Sequence, residues 1–270
     1  MNKKAGIIIF TAILLITGTA KAQDTEAGGI WTSIGINKDI TNAWSAGIET
    51  EYRTLGFSAE KERIGFQIAT DYEILKNLKV GIGYSLMSVY DDYKFSDDSI
   101  RIHYQLRNRF FGQLNYRLRF GDFSLSFRER AQLTYKDESD RLNAAGIINT
   151  NRINPDFIWR NRIKLQYSKK KLAFSPYVSF ESYFMMNDPE IVRNYNKDQT
   201  SFSETSSYFN KMRYAAGIEY KINKMHAVEL YGILSAERAV EEVKVSGPNY
   251  LRLGDWQHSP VIGIGYSFNF

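Results

Sequence analysis

Over most of its length the chain alternates apolar and polar residues one by one. At the C-terminal end, Ile262, Ile264, Tyr266, Phe268 and Phe270 interleave with Gly263, Gly265, Ser267 and Asn269. A period of two places the first set on one face of a strand and the second set on the other. The same rhythm sets Ile64, Phe66, Ile68, Tyr72 and Ile74 against Arg63, Gly65, Gln67, Asp71 and Glu73. It sets Leu78, Val80, Ile82, Tyr84 and Leu86 against Lys79, Gly81, Gly83 and Ser85. Inward glycines of this kind suit a crowded or strongly curved wall. Read throughout, the pattern predicts strands at 29–37, 43–54, 62–74, 78–90, 103–119, 123–136, 156–167, 172–185, 209–222, 225–238 and 259–270. Each is close to the length that crosses a thin bilayer at a tilt, about 9–11 residues.

The connections alternate in length. Short turns fall at Lys76-Asn77, Gly121-Asp122, Ser168 to Lys171 and Asn223-Lys224, and long polar connections at 91–102, 137–155, 186–208 and 239–257. Short on one side and long on the other is the habit of outer-membrane barrels, with periplasmic turns and extracellular loops. The fold class expected is all-β: an up-and-down antiparallel transmembrane β-barrel, with Phe270 ending on the periplasmic side. The first segment, around Trp31 to Asn37, runs downward in this scheme. Eleven segments are an odd number, and bacterial single-chain barrels have even ones. The expectation is therefore twelve strands with one short strand preceding the first, and ten as the alternative if the first lies outside the closed sheet.

The N-terminus reads as a secretion signal. Lys3 and Lys4 precede an apolar run from Ala5 to Ile16, and Ala20-Lys21-Ala22 fits a small-x-small cleavage site. The run is shorter than the roughly 20 residues of a transmembrane helix. Residues 1–22 are expected to be cleaved and 23–270 to form one barrel domain. No cysteine is present, so lipid attachment, disulfides and thiolate metal sites are excluded. The formal charge of +5 falls to near +2 once Lys3, Lys4 and Lys21 leave, so no nucleic-acid partner is indicated. The 18 Tyr and 17 Phe supply the aromatic girdles that a barrel needs at its two water interfaces.

The charged residues carry the candidate chemistry. Three consecutive strands hold an Arg-x-Arg triplet: Arg107-Asn108-Arg109, Arg128-Glu129-Arg130 and Arg160-Asn161-Arg162. With Arg117, Arg119 and Lys164, nine cations share the face opposite the aromatics. A guanidinium keeps its charge, and on a lipid face it costs about 2–4 kcal/mol at mid-bilayer, so these groups are expected in the lumen. Two readings stand. The basic wall attracts carboxylates or phosphates through bidentate contacts. Alternatively it pairs with the inward acids Glu49, Glu51, Asp71, Glu73, Glu181, Glu219 and Glu229, and the ion pairs fill a narrow barrel.

The middle residues Asn108, Glu129 and Asn161 fall on the apolar face. They form either a hydrogen-bonded polar pair or a local bulge, or else a contact surface for protein or lipid. His103, His226 and His258 show no metal spacing. His258 and Ser259 are adjacent and face opposite ways, so they make no dyad, and His258 near Asp255 is the one rim candidate for a catalytic base. The loop acids Asp91, Asp92, Asp97 and Asp98 are solvated tips or a site for divalent cations bridging to lipopolysaccharide. No catalytic residue, metal ligand or cofactor site is assigned.

Trp159 to Leu165 (Trp-Arg-Asn-Arg-Ile-Lys-Leu), Pro176 to Glu181 (Pro-Tyr-Val-Ser-Phe-Glu) and Arg213 to Tyr220 (Arg-Tyr-Ala-Ala-Gly-Ile-Glu-Tyr) stand out as motifs. With Trp31 and the aromatic tail they resemble an outer-membrane family common in Bacteroidetes, called domain of unknown function 2490. The resemblance covers nearly all of the chain after the signal. It implies a β-barrel in the outer membrane of a Gram-negative bacterium and brings no established activity. Tyr266, Phe268 and Phe270 resemble the assembly signal of such barrels. The partners then expected are outer-membrane lipid and lipopolysaccharide, the barrel-assembly machinery, and an unidentified envelope protein. The role expected is non-enzymatic: a structural barrel, a passage for small solutes or anions, or a subunit of an envelope complex. The alternative is a phospholipase-like or protease-like hydrolase with its site at the outer rim.

Overall fold

The computed structural model describes residues 28–270 apart from 55, 59, 95–99, 137–154, 171, 188–206, 239 and 244–249. The predicted signal, residues 1–22, and the loop acids Asp97 and Asp98 lie outside the described residues. The strands are β1 (Gly29–Asp39), β2 (Trp44–Thr54), β3 (Lys61–Leu75), β4 (Leu78–Lys94), β5 (Ile100–Phe120), β6 (Phe123–Lys136) and β7 (Asp156–Tyr167). They continue as β8 (Phe174–Asn187), β9 (Tyr208–Lys221), β10 (His226–Glu237), β11 (Val240–Val243), β12 (Tyr250–Leu253) and β13 (Gln257–Asn269).

All but β11 and β12 close into one barrel, in which each strand pairs antiparallel with its chain neighbour until the ring is sealed by β1 against β13. That seal is parallel, from Gly29↔Val261 to Asn37↔Asn269. The parallel pair is a topological necessity. Up-and-down strands alternate direction, so an odd ring must contain one parallel neighbour pair. The count of eleven therefore stands for the described barrel. The expected twelfth strand has no place, because β1 pairs directly with β13, and the ten-strand alternative fails because β1 is inside the sheet. The seam is finished at its lower end by Asn37 Nδ2 donating to Asn269 Oδ1 (3.1 Å) and Phe270 N donating to Asn37 O (3.0 Å).

The tight turns lie at one end of the cylinder. Asn77 (φ 75°) and Gly121 (φ 59°) take the left-handed conformation that a two-residue connection needs, which Gly adopts freely and Asn tolerates. The long connections lie at the other end. Two of them differ from expectation. Asp91 and Asp92 belong to β4, which runs to Lys94 opposite Ile100 and so shortens that loop. The segment after β10 folds a separate hairpin, β11 with β12.

Alternation sets the two faces as read. Ile34, Ile82, Val178, Leu230 and Ile262 point outward and are more than half exposed. Aromatic residues concentrate outward at the turn end, where Phe120 stacks on Phe123, Phe123 packs on Tyr167, and Phe174 packs on Tyr220. Tyr266 and Phe268 join this belt, with Phe268 stacked on Phe270. The inside is polar and crowded. Two inward glycines make room for rings opposite them. A Cβ at Gly263 would lie 2.1 Å from the Tyr231 ring, and one at Gly217 would lie 2.7 Å from the Tyr177 ring. Each tyrosine thus lies flat against the wall instead of across the lumen.

Candidate functional site: a two-chamber charged lumen

Two adjoining cavities occupy the lumen as lined by the described residues. The wider one, about 1000 Å³, lies toward the tight turns and reaches Asn37, Asp39, Lys76 and Asn269. The narrower one, about 330 Å³, lies toward the long connections and reaches Trp31, Arg53, Met87 and Ile233. Ser33, Glu49, Gln67, Arg128, Arg130, Arg162, Lys164 and Glu229 border both and mark the boundary between them.

The narrow chamber is dominated by cations. Arg53 and Arg63 face it from β2 and β3, Arg109 from β5, and Arg128 and Arg130 from β6. Arg160, Arg162 and Lys164 face it from β7, and Arg213 from β9. Against these nine stand four carboxylates, Glu49, Glu51, Glu181 and Glu229. Two of the four act as bridges. Glu51 accepts from Arg53 and from Arg63, both at 2.7 Å. Glu181 Oε1 accepts from Arg128 (2.5 Å) and Arg160 (3.0 Å), and its Oε2 from Arg160 (3.1 Å) and the Tyr183 hydroxyl (2.6 Å). That hydroxyl in turn accepts from Arg213 Nη1. A carboxylate shared by two guanidiniums is a strong contact because each hydrogen bond is charge-assisted, and more so at Glu181, whose side chain is 10% exposed against 27% for Glu51. Glu229 is 3.7 Å from Lys164.

Ring faces take up part of the remaining charge. Arg53 lies 3.5 Å over Trp31, with Arg213 on the same ring at 4.8 Å. Arg130 lies 4.1 Å over Phe111, and Lys164 lies 3.6 Å over Tyr177. These are cation–π distances. Trp31 is 8% exposed, so β1 is clamped to β2 and to β9 through one indole.

The nine predicted basic residues divide by height. Arg109, Arg128, Arg130, Arg160, Arg162 and Lys164 line the narrow chamber. Arg117 and Arg119 line only the wide one. Arg107 borders neither cavity and donates to Gln105 at 3.1 Å. Of the predicted acids, Glu51, Glu181 and Glu229 meet cations from those walls. Asp71 instead accepts from Gln113 (2.9 Å) and Asn115 (3.5 Å). Glu219 faces Lys221 of its own strand at 3.8 Å. Glu49 and Glu73 line the wide chamber with no cation within 4.0 Å among the described residues. Three arginines of the narrow chamber were not in the predicted set: Arg53, Arg63 and Arg213. Strand parity sets Arg63 inward without counting it among the site cations, whereas Arg53 and Arg213 occur singly in sequence and only parity could have placed them.

On the outer face Glu129 and Asn161 are register partners, and the Trp159 indole donates to both, at 2.6 and 2.9 Å. Asn161 reaches Ser182 (3.5 Å). Asn108 is separate and accepts from the Tyr84 hydroxyl at 2.6 Å. The triplets' middle residues therefore remain outward without a bulge at those positions. His226 Nδ1 sits 2.6 Å from the Tyr266 hydroxyl in the aromatic belt. His258 is exposed and makes no hydrogen bond with Asp255 among the described residues. The His103 side chain lies outside the described residues. Among the described residues no cluster of three or more His, Cys, Asp or Glu is placed to hold a metal ion.

The family model described as "Protein of unknown function (DUF2490)" matches residues 28–240. A search of the curated proteins finds no match. Among solved structures, one described as a NanC porin in a rhombohedral crystal form is similar, with 13% identity over 77% of this chain and 85% of that chain and a TM-score of 0.43.

Proposed function

The chain belongs to the DUF2490 family, and because that membership carries no activity we propose a role from the lumen: an outer-membrane barrel that draws small anions through a cationic constriction. The observation that carries this reading is the imbalance of the narrow chamber, where nine cations face four carboxylates. A low-dielectric wall focuses such a field and raises the local concentration of the opposite sign. The structural reading accounts for only part of the charge. Glu51 and Glu181 bridge two arginines each, and further guanidiniums have no carboxylate partner among the described residues. Membrane residence is supported by the outward face, whose large exposed apolar side chains and aromatic belt suit lipid and its interface.

In this reading the tight turns and Phe270 face the periplasm, and lipid and lipopolysaccharide surround the wall. Residues 1–22 direct export. Tyr266, Phe268 and Phe270 are offered to the assembly machinery. A partner in the envelope remains part of the proposal without a surface assigned to it.

The test is the reversal potential of the purified barrel in a planar bilayer under a salt gradient. Anion preference is expected, falling as ionic strength rises because the field is screened. Cation preference, or no conductance at all, would overturn the reading.

A further inference from the structure

Strands β6 and β7 place arginine opposite arginine in two consecutive inward pairs, Arg130↔Arg160 and Arg128↔Arg162. Like charges directly opposite on one face of a sheet repel. The barrel meets the same problem on β2 and β3, where Arg53 is opposite Arg63, and there Glu51 sits between them. On β6 and β7 the one bridging carboxylate, Glu181, takes Arg128 and Arg160. One guanidinium of each pair is left over. Arg130 gives Nε (3.1 Å) and Nη2 (2.6 Å) to the neutral Gln113, which leaves Nη1. Arg162 has no ion pair or hydrogen bond among the described residues.

Arg130 and Arg162 are diagonal neighbours across the two strands, about 7–8 Å apart at Cα. Both line the boundary between the chambers. Arg130 is 9% exposed. A guanidinium withdrawn from water requires a compensating acceptor. Arg53, Arg63, Arg128 and Arg160 find that acceptor in a carboxylate of the chain, whereas Arg130 and Arg162 find no carboxylate among the described residues. Around the same chamber the Nε atoms of Arg53, Arg63, Arg128, Arg160 and Arg213 are buried without an acceptor among the described residues.

Resting on the anion-path reading, we propose that Arg130 and Arg162 together hold one small oxyanion, a carboxylate or a phosphate, at the junction of the two chambers. The planar fork of arginine matches two oxygens of such a group, which a spherical halide cannot offer. A 330 Å³ chamber lies at the small end of ligand sites, so the ligand is a compact solute. The site is a resting point on the path, where the anion takes the place that Glu51 holds between Arg53 and Arg63.

The experiment uses the refolded barrel in a maltoside detergent, which brings no anionic headgroup. Its thermal midpoint is measured with inorganic phosphate, then acetate, replacing sodium chloride at constant ionic strength. A saturable rise with both oxyanions is expected, since a ligand bound to the folded state alone stabilises it. Arg162→Gln and Arg130→Gln should each weaken the apparent affinity roughly tenfold or more, the size of a lost charged hydrogen bond. Arg162→Lys should retain weak binding, and Arg119→Gln should bind as the parent does. No saturable shift, or the same shift in Arg162→Gln, overturns the site. Should a variant fail to fold, phosphorus NMR line broadening of phosphate by the parent protein, reversed by acetate, decides the matter. Its absence also overturns the site. Saturable binding in a barrel without conductance would end the passage reading and leave the site, whereas anion conductance without saturable binding would do the reverse.

Discussion

The two chambers of the lumen share one wall chemistry and differ in how their charges are resolved. In the wide chamber eight cations face six carboxylates across about 1000 Å³, and few of them touch. Across such separations charges interact weakly and are screened wherever solvent enters. In the narrow chamber nine cations face four carboxylates in a third of the volume. Contacts there are short, rings cover cationic faces, and Glu181 alone takes two arginines and a tyrosine hydroxyl. The cation excess is larger in the narrow chamber, and there bridging carboxylates and ring faces take up part of it. Selectivity and stability should both be concentrated in the narrow chamber.

Removing a bridging carboxylate should have the largest effect. Glu181→Gln leaves Arg128 and Arg160, with side chains 13% and 12% exposed, facing each other without an anion. Breaking a buried pair from one side costs about 3–5 kcal/mol. The variant should unfold at markedly lower urea or temperature in detergent. Glu51→Gln, whose side chain is 27% exposed, should lose less, on the order of 1–2 kcal/mol once solvent screening is allowed for. Equal losses at the two sites, or none at Glu181, would show that the narrow chamber is wetter than its geometry indicates.

Charge reversal sharpens the same contrast through conductance. If the lumen is the proposed anion path, Arg162→Glu changes its boundary by two charges, so the anion-to-cation permeability ratio should fall roughly tenfold or more. Arg119→Glu makes the same change in the wide chamber, where screening should limit the effect to about two- to threefold. The reversal potential of each variant is the measurement. A larger change at Arg119 would place the selective region at the tight-turn end.

How far the sequence reached follows from what a period of two contains. It gives the face of each residue, so the inward arginines and the outward Ile, Phe and Tyr were legible strand by strand. It does not give height. Register and strand tilt decide which inward residues of distant strands meet, and so Glu49 and Glu73 were grouped with arginines that they do not touch. Arg213 lies in register with Glu181 and follows it by some thirty residues in sequence, so no local motif joins them. Trp31 was read as a family marker, and its place between Arg53 and Arg213 follows only from closing the ring. The strand count was legible as eleven. The rule that bacterial barrels are even pulled the expectation to twelve, and the parallel β1–β13 seam is what that rule leaves out.

The odd count has a consequence for which chamber faces outward. With β1 and β13 parallel, Gly29 begins at the long-connection end, whereas Phe270 and the Asn223-Lys224 turn lie at the other. An epitope inserted just before Gly28 should therefore be accessible from the opposite side to one inserted at Asn223. On intact cells the first should bind antibody and the second only after permeabilisation, which would set the narrow cationic chamber toward the outside. Labelling of both from one side would contradict the parallel seam.

The smallest effect is expected on the other side of the same wall. Glu129 lies between Arg128 and Arg130 in sequence yet faces outward, where the Trp159 indole and Asn161 are its neighbours. It is exposed and bridges no cation among the described residues, so its replacement should leave no charge stranded. Glu129→Gln keeps an oxygen for the indole and should shift the unfolding midpoint by less than about 1 kcal/mol, the worth of one ordinary hydrogen bond. The permeability ratio should be unchanged, since the wall separates this carboxyl from the lumen. A selectivity change as large as that of Arg162→Glu would mean that Glu129 turns into the lumen in the membrane, and the division into an oily outside and a charged inside would have to be redrawn along β6.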